Sequence, residues 1–184
     1  MRQLKTALNI QRRERMINAG WDLFLSVGFR GTSMGEVAKR AEVAKPTLYK
    51  YFADKETLFR AGVAQLIGEA EALCLGEFSK SGSVVSRIAG ALVVKHKLFF
   101  RVVARSQYAE ELYSQSARLT VKEIEIFENW LGAQIGNILK EGGVKSPNSQ
   151  AQLLMACAYG IAKRAQHVEE IGPAIRLVTQ KLLD

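Results

Sequence analysis

The chain of 184 residues can form one domain, or a small domain joined to a medium one. Its hydrophobic fraction of 48% provides enough apolar material for a core, and its net charge of +8 is unevenly distributed. Residues 1–60 contain 12 Lys and Arg against 6 Asp and Glu, whereas residues 61–184 contain 14 against 12. This distribution favours a polyanion-binding head on a nearly neutral body, although an ordinary solvated face can be equally basic.

Several functional classes lack their sequence signals. Cys74 and Cys157 are far apart and have neither metal-ligand nor redox spacing, so we expect two reduced thiols in a cytoplasmic protein. The first residues lack the apolar core of a secretory signal, and the longest apolar run ends at Lys95, which is too short to span a membrane. No nucleophile–base arrangement, metal-ligand spacing or phosphate-binding glycine loop is present, and His96 and His167 have no obvious partner. We therefore expect no membrane partner, no enzyme activity, and no catalytic residue, cofactor or metal.

Three prolines and the absence of a sustained alternating pattern predict an all-α fold. The first helix shows helical apolar spacing up to Gly28, which suits a left-handed C-terminal cap. A short helix over 34–41 begins with Ser33 and has Glu36 three residues later, the spacing of a capping box. A third helix is predicted over 45–52, and Asp54 caps a longer helix that continues to residue 78.

From Ser83 onward the predicted helices are longer. Residues 84–107 are apolar on several faces, which indicates burial in a helical bundle, and the next helix stops at paired glycines near residue 142. Two last helices are expected over about 149–168 and 173–183. We divide the chain into a head domain, residues 1–60, and a helical body domain, residues 61–184, with the junction inside a helix.

The two short helices and their tight turn predict a helix-turn-helix, with the second helix placed to enter a major groove. Pro46 fits the first turn of that helix, where a backbone amide has no partner inside the helix, and its ring could touch thymine methyl groups. The outward side chains are of types that bind phosphate or base edges: Lys45, Thr47, Tyr49, Lys50 and Tyr51. The alternative is a lysine-rich solvated helix whose tyrosines edge the core.

The segment GFRGTSMGEVAKRAEVAKPTLYKYFADKETLF resembles the DNA-binding region of the tetracycline-repressor (TetR-like) family of bacterial regulators. The resemblance covers residues 13–60 and depends on TSMGEVA, TLYKYF and DKETLF at the family's spacing. It implies a homodimer whose N-terminal heads bind a pseudo-palindromic double-stranded DNA operator. It also implies that the C-terminal helices form a pocket for a small-molecule effector and the dimer interface.

The resemblance assigns roles to individual residues of the head. Thr32 and Ser33 match phosphate-contacting positions, Tyr49 matches a tyrosine that braces the backbone, and Lys55 matches a phosphate-binding lysine. The base-facing and groove-facing positions correspond to Lys45, Pro46, Thr47 and Lys50. Two departures stand at the turn, where the family often has glycine in place of Glu42 and serine or threonine in place of Ala44. A glutamate in a left-handed position is strained and an alanine cannot cap a helix, so we expect a marginally stable head.

The body carries weaker signals. Aromatic and polar residues of the middle helices are candidates for an effector pocket, with ordinary core packing as the alternative: His96, Phe100, Tyr108, Phe127, Trp130 and Tyr159. The last two helices are candidates for a four-helix dimer interface, with a core within one chain as the alternative. The interface candidates are Leu154, Ala158, Ile161, Ala165, Ile175, Val178 and Leu182.

Two functions are consistent with this sequence. The first is a repressor that a small-molecule effector releases from its operator. The second is a DNA-binding protein of the same fold that has a structural role or answers to a protein partner, without a small-molecule effector. A closed polar cavity in the body would favour the first, and a filled body with an exposed apolar groove would favour the second.

Overall fold

The computed structural model describes residues 2–104 and 106–184, and of residues 2–7 it describes only the backbone. These residues form nine α-helices and one π-helical turn and contain no strand, which confirms the prediction of an all-α fold. The helices are α1 (Arg2–Gly31), α2 (Met34–Arg40), α3 (Lys45–Tyr51), α4 (Lys55–Phe78), α5 (Val84–Phe99), the π turn (Phe100–Ala104), α6 (Ala109–Leu119), α7 (Val121–Glu141), α8 (Pro147–Arg164) and α9 (Val168–Leu183).

The chain forms two compact units. The head unit contains the residues up to Leu66 together with Ser106–Val121, and the body unit contains Ile67–Arg105 and Lys122–Asp184. Helix α4 continues from the first unit into the second, so a helix and not a linker crosses the boundary. The predicted division at residue 60 did not include α6 in the head.

The core of the head is built from aromatic rings. Trp21, Phe24 and Phe29 of α1 surround Phe59 of α4, with ring centroids 5.4–5.6 Å from that of Phe59. Edge-on and tilted ring pairs at this spacing add attraction to the hydrophobic burial. Leu48 of α3 is also fully buried, which anchors α3 in the head.

Local capping signals determine where the short helices begin. Glu36 N donates to Ser33 Oγ at 3.2 Å and Ser33 N donates to Glu36 Oε2 at 3.2 Å, which confirms the capping box. Asp54 Oδ1 accepts from Thr57 N at 2.7 Å, and these hydrogen bonds to the carboxylate lower the pKa of Asp54. Glu42 has φ 54°, the left-handed conformation expected from the sequence, and Ala44 caps α3 without a side-chain hydrogen bond.

Gly28 has the positive φ that the sequence suggested, but α1 does not end there. Its φ of 79° and ψ of 167° kink the helix, which then continues to Gly31. A β-carbon at this position would lie 2.8 Å from Tyr108 Cδ1 and closer still to the Glu111 carboxylate. Glycine is therefore needed both for its backbone conformation and for the close approach of the segment that leads into α6.

Polar contacts attach α6 to the rest of the head. Glu111 Oε1 accepts from the backbone N of Arg30 at 3.0 Å, and Ser106 Oγ donates to Leu25 O at 2.6 Å. At the other end of α6, Arg118 Nη2 donates to Glu56 Oε1 at 2.7 Å, and Arg60 donates to the Leu119 carbonyl. The sequence analysis did not identify α6 as part of the head.

The body has a mainly aliphatic core formed by α4, α5, α7, α8 and α9. Its fully buried members include Leu92, Leu131, Ile135 and Leu154. Helix α7 ends before Gly143, whose φ is 73°, as the paired glycines predicted. The predicted start of the last helix was wrong: α9 begins at Val168, and Pro173 lies inside it. Pro173 is the sixth residue of α9, past the first turn, so it removes one backbone hydrogen bond that the helix would otherwise form there.

Candidate nucleic-acid interface

Helices α2 and α3 have seven residues each and are joined by the turn at Glu42, so they form the predicted helix-turn-helix. Leu48 and Phe52 face the core, with 0% and 1% of their surface exposed. The opposite side of α3 presents two cations, a proline ring and a tyrosine ring to solvent: Lys45, Lys50, Pro46 and Tyr49. Thr47 and Tyr51 are half-buried at the edges of this surface.

The two residues expected to contact phosphate before α2 are engaged inside the head. Thr32 is only 3% exposed, and its hydroxyl donates to Gly28 O at 2.7 Å. Ser33 is exposed, but its hydroxyl belongs to the capping box with Glu36. The Thr32 side chain stabilises the end of α1 in this conformation and does not face solvent.

Lys55 is also held by internal contacts. Its Nζ donates to Thr32 O at 3.1 Å and lies 4.6 Å from the centroid of the Phe29 ring. A cation placed on the last carbonyls of a helix stabilises its C-terminal end. Lys55 thus connects the start of α4 to the end of α1, and a contact with DNA phosphate would have to compete with this arrangement.

The structure adds residues of α1 that the sequence analysis did not select. Tyr51 Oη donates to Asn9 Oδ1 at 3.3 Å, and Arg13 Cζ lies 5.4 Å from the Phe52 ring centroid. The first half of α1 therefore lies alongside α3. The signal was present in the sequence as the RRER run, but its relation to the recognition helix depends on how α1 packs.

Two depressions of the head surface flank the turn. One, of about 370 Å³, is lined by residues that include Arg15, Asp22 and Arg40, the last two forming an ion pair at 3.1 Å. The other, of about 260 Å³, is lined by Arg12, Arg15, Glu42, Val43, Ala44 and Thr47. Arginine side chains therefore continue the basic surface of α3 onto α1.

The six effector-pocket candidates are distributed over the two units. Tyr108 belongs to the head unit, and Tyr159 is 60% exposed on α8. Phe127 and Trp130 stack with centroids 5.9 Å apart, and Trp130 and the half-buried Phe100 both pack against the aliphatic core of the body. None of the six residues lines either of the two depressions of the head.

His96 is the exceptional residue of this set. It is 6% exposed, and its Nε2 has no hydrogen-bond partner. Burial, with a smaller contribution from the neighbouring Lys95 cation, lowers the pKa of His96 to about 3. Lys95 is itself buried, and its Nζ donates to Glu128 Oε1 at 2.6 Å and lies 5.5 Å from the Phe127 ring centroid.

Three of the seven interface candidates must be corrected. Leu154, Ala158 and Ile175 have no exposed surface because they pack into the core of their own chain, so they cannot contact a second chain. The other four are half-buried beside that core: Ile161, Ala165, Val178 and Leu182. The apolar surface that α8 and α9 do expose includes Leu153 at 45% and Leu177 at 62%.

Within residues 2–104 and 106–184, no group of three or more His, Cys, Asp or Glu side chains could hold a metal ion. Across the same residues, each helix is too short or too polar to cross a bilayer.

Part of the head is similar to known regulatory proteins. Residues 16–61 match the model of the tetR family of bacterial regulatory proteins. A segment of 52 residues is 38% identical to YhgD of Bacillus subtilis (strain 168), described as an uncharacterised HTH-type transcriptional regulator. That segment is 28% of this chain and spans only 27% of the curated relative, about a quarter of its length.

Solved structures resemble the whole chain. A transcriptional regulator of the TetR/AcrR family from Thermobifida fusca superposes with a TM-score of 0.73 at 21% identity, covering 95% of this chain and 97% of the other. A TetR-like transcriptional regulator from Rhodococcus sp. RHA1 gives 0.70 at 22% identity, covering 92% and 94%. At this identity the likeness establishes a shared fold.

Proposed function

We propose that this chain is a TetR-like transcriptional regulator, a repressor that a small-molecule effector releases from a pseudo-palindromic operator; residues 16–61 match the tetR-family model, and solved TetR-family structures share its fold. The observation that carries the proposal is the solvent face of α3. Lys45, Pro46, Tyr49 and Lys50 are exposed there, while Leu48 holds the helix to the core. Cations and rings on a short, firmly anchored helix fit a major groove.

The residues of α3 divide into two roles in this proposal. Lys45 and Lys50 donate to guanine acceptor atoms, and the Pro46 ring contacts a thymine methyl group. Tyr49 contacts the phosphate backbone and sets the position of the helix along the DNA. Thr47, at the edge of the exposed face, lies between the base-contacting and the phosphate-contacting residues. Lys55 acts by holding α1 and α4 together, because its ammonium is engaged by Thr32 O.

Recovery of DNA fragments by the full-length protein tests this function directly. Genomic fragments retained by the purified protein are sequenced, beginning with the promoter next to its own gene. Lys45→Ala or Lys50→Ala should weaken binding to a retained fragment by about 1–3 kcal/mol, because the contact to one base pair is lost. The loss on random-sequence DNA should be smaller. Lys140→Ala, which removes an exposed cation from α7, is the matched control. Equal losses of affinity on both DNAs would show that the lysine does not contact a base.

We assign dimerisation to the exposed side of α8 and α9. Leu153, Cys157 and Gly160 follow one another at helical spacing on α8, and an added β-carbon at Gly160 would meet nothing within 4 Å. A small residue beside Leu153 permits close approach of a second helix, and Leu177 adds apolar surface from α9. Sedimentation should show a dimer for the wild type and a monomer for Leu153→Arg. Leu154→Ala should instead lower stability through loss of core packing.

The effector part of the proposal is supported by His96. Its unpaired Nε2 is a buried polar atom in need of a partner, and Phe127 and Trp130 offer stacked rings in the same unit. A small-molecule extract that releases retained DNA from the wild type should lose this effect with His96→Leu. The coupling is reciprocal, so operator DNA must weaken effector binding by the same factor.

A second candidate function is control by a protein partner. The observation that favours it is the exposure of Val121 at 57% and Ile126 at 69% on α7. Under this alternative the extract would have no effect on DNA binding, and a protein retained by the wild type would be lost with Ile126→Glu. The two outcomes therefore distinguish the candidates.

A further inference from the structure

We propose that the cleft between α1 and the turn binds one phosphate of the DNA backbone through Arg12, Arg15 and Thr47, and that the carboxylate of Glu42 weakens this contact. The proposal rests on the DNA-binding function proposed above and extends the interface from the helix-turn-helix onto α1. None of the residues on α1 was selected by the sequence analysis.

The geometry of α1 places the two guanidinium groups together. Arg12 and Arg15 are three residues apart on a helix, so they share one face, and both line the cleft of about 260 Å³. Both are exposed, and among the described side chains neither forms an ion pair. Two arginines with five N–H donors each, neither of them in an ion pair, can bind a tetrahedral oxyanion.

The other residues of the cleft indicate that the phosphate comes from DNA. They include Val43, Ala44 and Thr47, and Thr47 belongs to the recognition helix α3 itself. Its hydroxyl is a neutral donor of the kind that contacts backbone phosphates. A duplex lying against Lys45 and Lys50 brings its own phosphates to the edge of the same helix, whereas a free phosphate gains nothing from that proximity.

Glu42 gives the cleft a second property. It is exposed, lines both depressions of the head and has the left-handed φ of 54°. Its side chain lines the cleft in which the phosphate would bind, and two negative charges in one cleft repel each other. The weakened phosphate contact reduces sequence-independent affinity, so a larger share of binding comes from the base contacts of α3.

The first test replaces both arginines in the full-length protein. Binding of a labelled random-sequence duplex and of a retained operator fragment is measured over a range of salt concentrations. Arg12→Ala with Arg15→Ala should make the salt dependence about 0.9 unit shallower on both DNAs, the effect of one lost phosphate contact. Lys140→Ala should leave the slope unchanged, and Arg12→Gln with Arg15→Gln repeats the test if the alanine pair melts at a lower temperature.

The outcomes separate this inference from the function on which it rests. An unchanged slope in the double variant, with Lys45→Ala still weakening operator binding, overturns the phosphate site and leaves the regulator intact. Failure of the wild type to bind any duplex overturns the proposed function itself. Inorganic phosphate provides the third arm: if it binds at the arginines while the DNA slope does not change, the site is not a DNA contact.

The second test examines Glu42 by a double-mutant cycle. Glu42→Gln removes the charge and keeps the side chain, so it should tighten binding of the random-sequence duplex in the wild-type background. The gain should disappear when Arg12 and Arg15 are already alanine, because the carboxylate then has no phosphate to repel. A gain of the same size in both backgrounds would show that Glu42 acts elsewhere, and it would overturn its assignment to this cleft.

Discussion

The head unit and the body unit use their polar groups in opposite ways. In the head, the cations of α3 and those of α1 from Arg12 onward are exposed, and the buried Thr32 hydroxyl is paired with Gly28 O. In the body, Lys95 is buried with a single carboxylate partner, and His96 Nε2 and Gln150 Oε1 are buried without one. A buried polar atom without a partner destabilises a fold, whereas an exposed cation has little effect.

The difference indicates which features determine the stability of each unit. The head depends on backbone geometry at Gly28 and Glu42 and on an aromatic core, which leave its charged surface available for binding. The body depends on the buried Lys95 ammonium, its partly exposed partner Glu128 and a mainly aliphatic core. Mutations in the body should therefore affect stability most through charge, and mutations in the head most through backbone conformation.

The largest effect is expected when the buried Lys95 loses its acidic partner. Glu128→Ala leaves the Lys95 ammonium buried without that partner; because the Glu128 side chain is 38% exposed, the expected loss in the free energy of unfolding is at the lower end for such pairs, about 3 kcal/mol. Urea denaturation measures this loss, and Glu125→Ala, an exposed neighbour on α7, is the control. Adding Lys95→Met should restore most of the stability. If the single variant is as stable as the control, the body does not depend on buried charge.

The next effect concerns the backbone of the head. Gly28→Ala must hold a non-glycine residue at φ 79° and ψ 167° and bring a β-carbon within 2.8 Å of Tyr108 Cδ1. The expected loss is about 2 kcal/mol, within the range for strained backbone conformations. Gly35→Ala, whose β-carbon would meet only Ser33 Oγ at 3.8 Å, should cost nothing. Equal melting temperatures for the two variants would mean that the kink in α1 relaxes freely.

The comparison between the units also explains what could be predicted from sequence. Helices α2 and α3 were placed to within one residue because their signals are local: the Ser33 and Glu36 pair, Pro46 in the first turn, and Asp54 after α3. The left-handed Glu42 was expected from the family resemblance, in which glycine often occupies this position of the turn.

Elements that depend on packing between distant segments were not predictable. The π turn that interrupts the predicted helix over 84–107 was not expected from the sequence. The attachment of α6 through Glu111 and Ser106 depends on contacts 81 residues apart in sequence. The internal roles of Thr32 and Lys55 likewise require the folded end of α1. Composition identified the basic head, but only the packing of α1 against α3 places Arg12 and Arg15 beside Thr47.

The pH dependence of stability tests the buried histidine. Burial lowers the pKa of His96 from 6.5 to about 3, so below pH 6.5 the unfolded chain binds a proton that the folded chain does not. Stability should therefore fall as the pH falls from 6.5 toward 3, by up to about 1.4 kcal/mol per pH unit from this residue. His96→Leu should flatten the dependence between pH 6.5 and 5 in urea denaturation. A wild-type profile as flat as that of the variant would contradict the burial of the neutral ring.

The smallest effect is expected at the turn, where it can sharpen the contrast between the units. Glu42 is exposed and has φ 54°, so Glu42→Gly removes a left-handed non-glycine residue without removing core contacts. Relief of this strain is partly offset by the greater freedom of glycine in the unfolded chain, so a gain of about 0.5–1 kcal/mol is expected. Glu42→Gln keeps the strain and removes the charge, so it should leave the melting temperature unchanged while still tightening non-specific DNA binding. A clear drop in melting temperature for Glu42→Gly would show that the glutamate side chain makes a stabilising contact, and the head would then depend on charge as the body does.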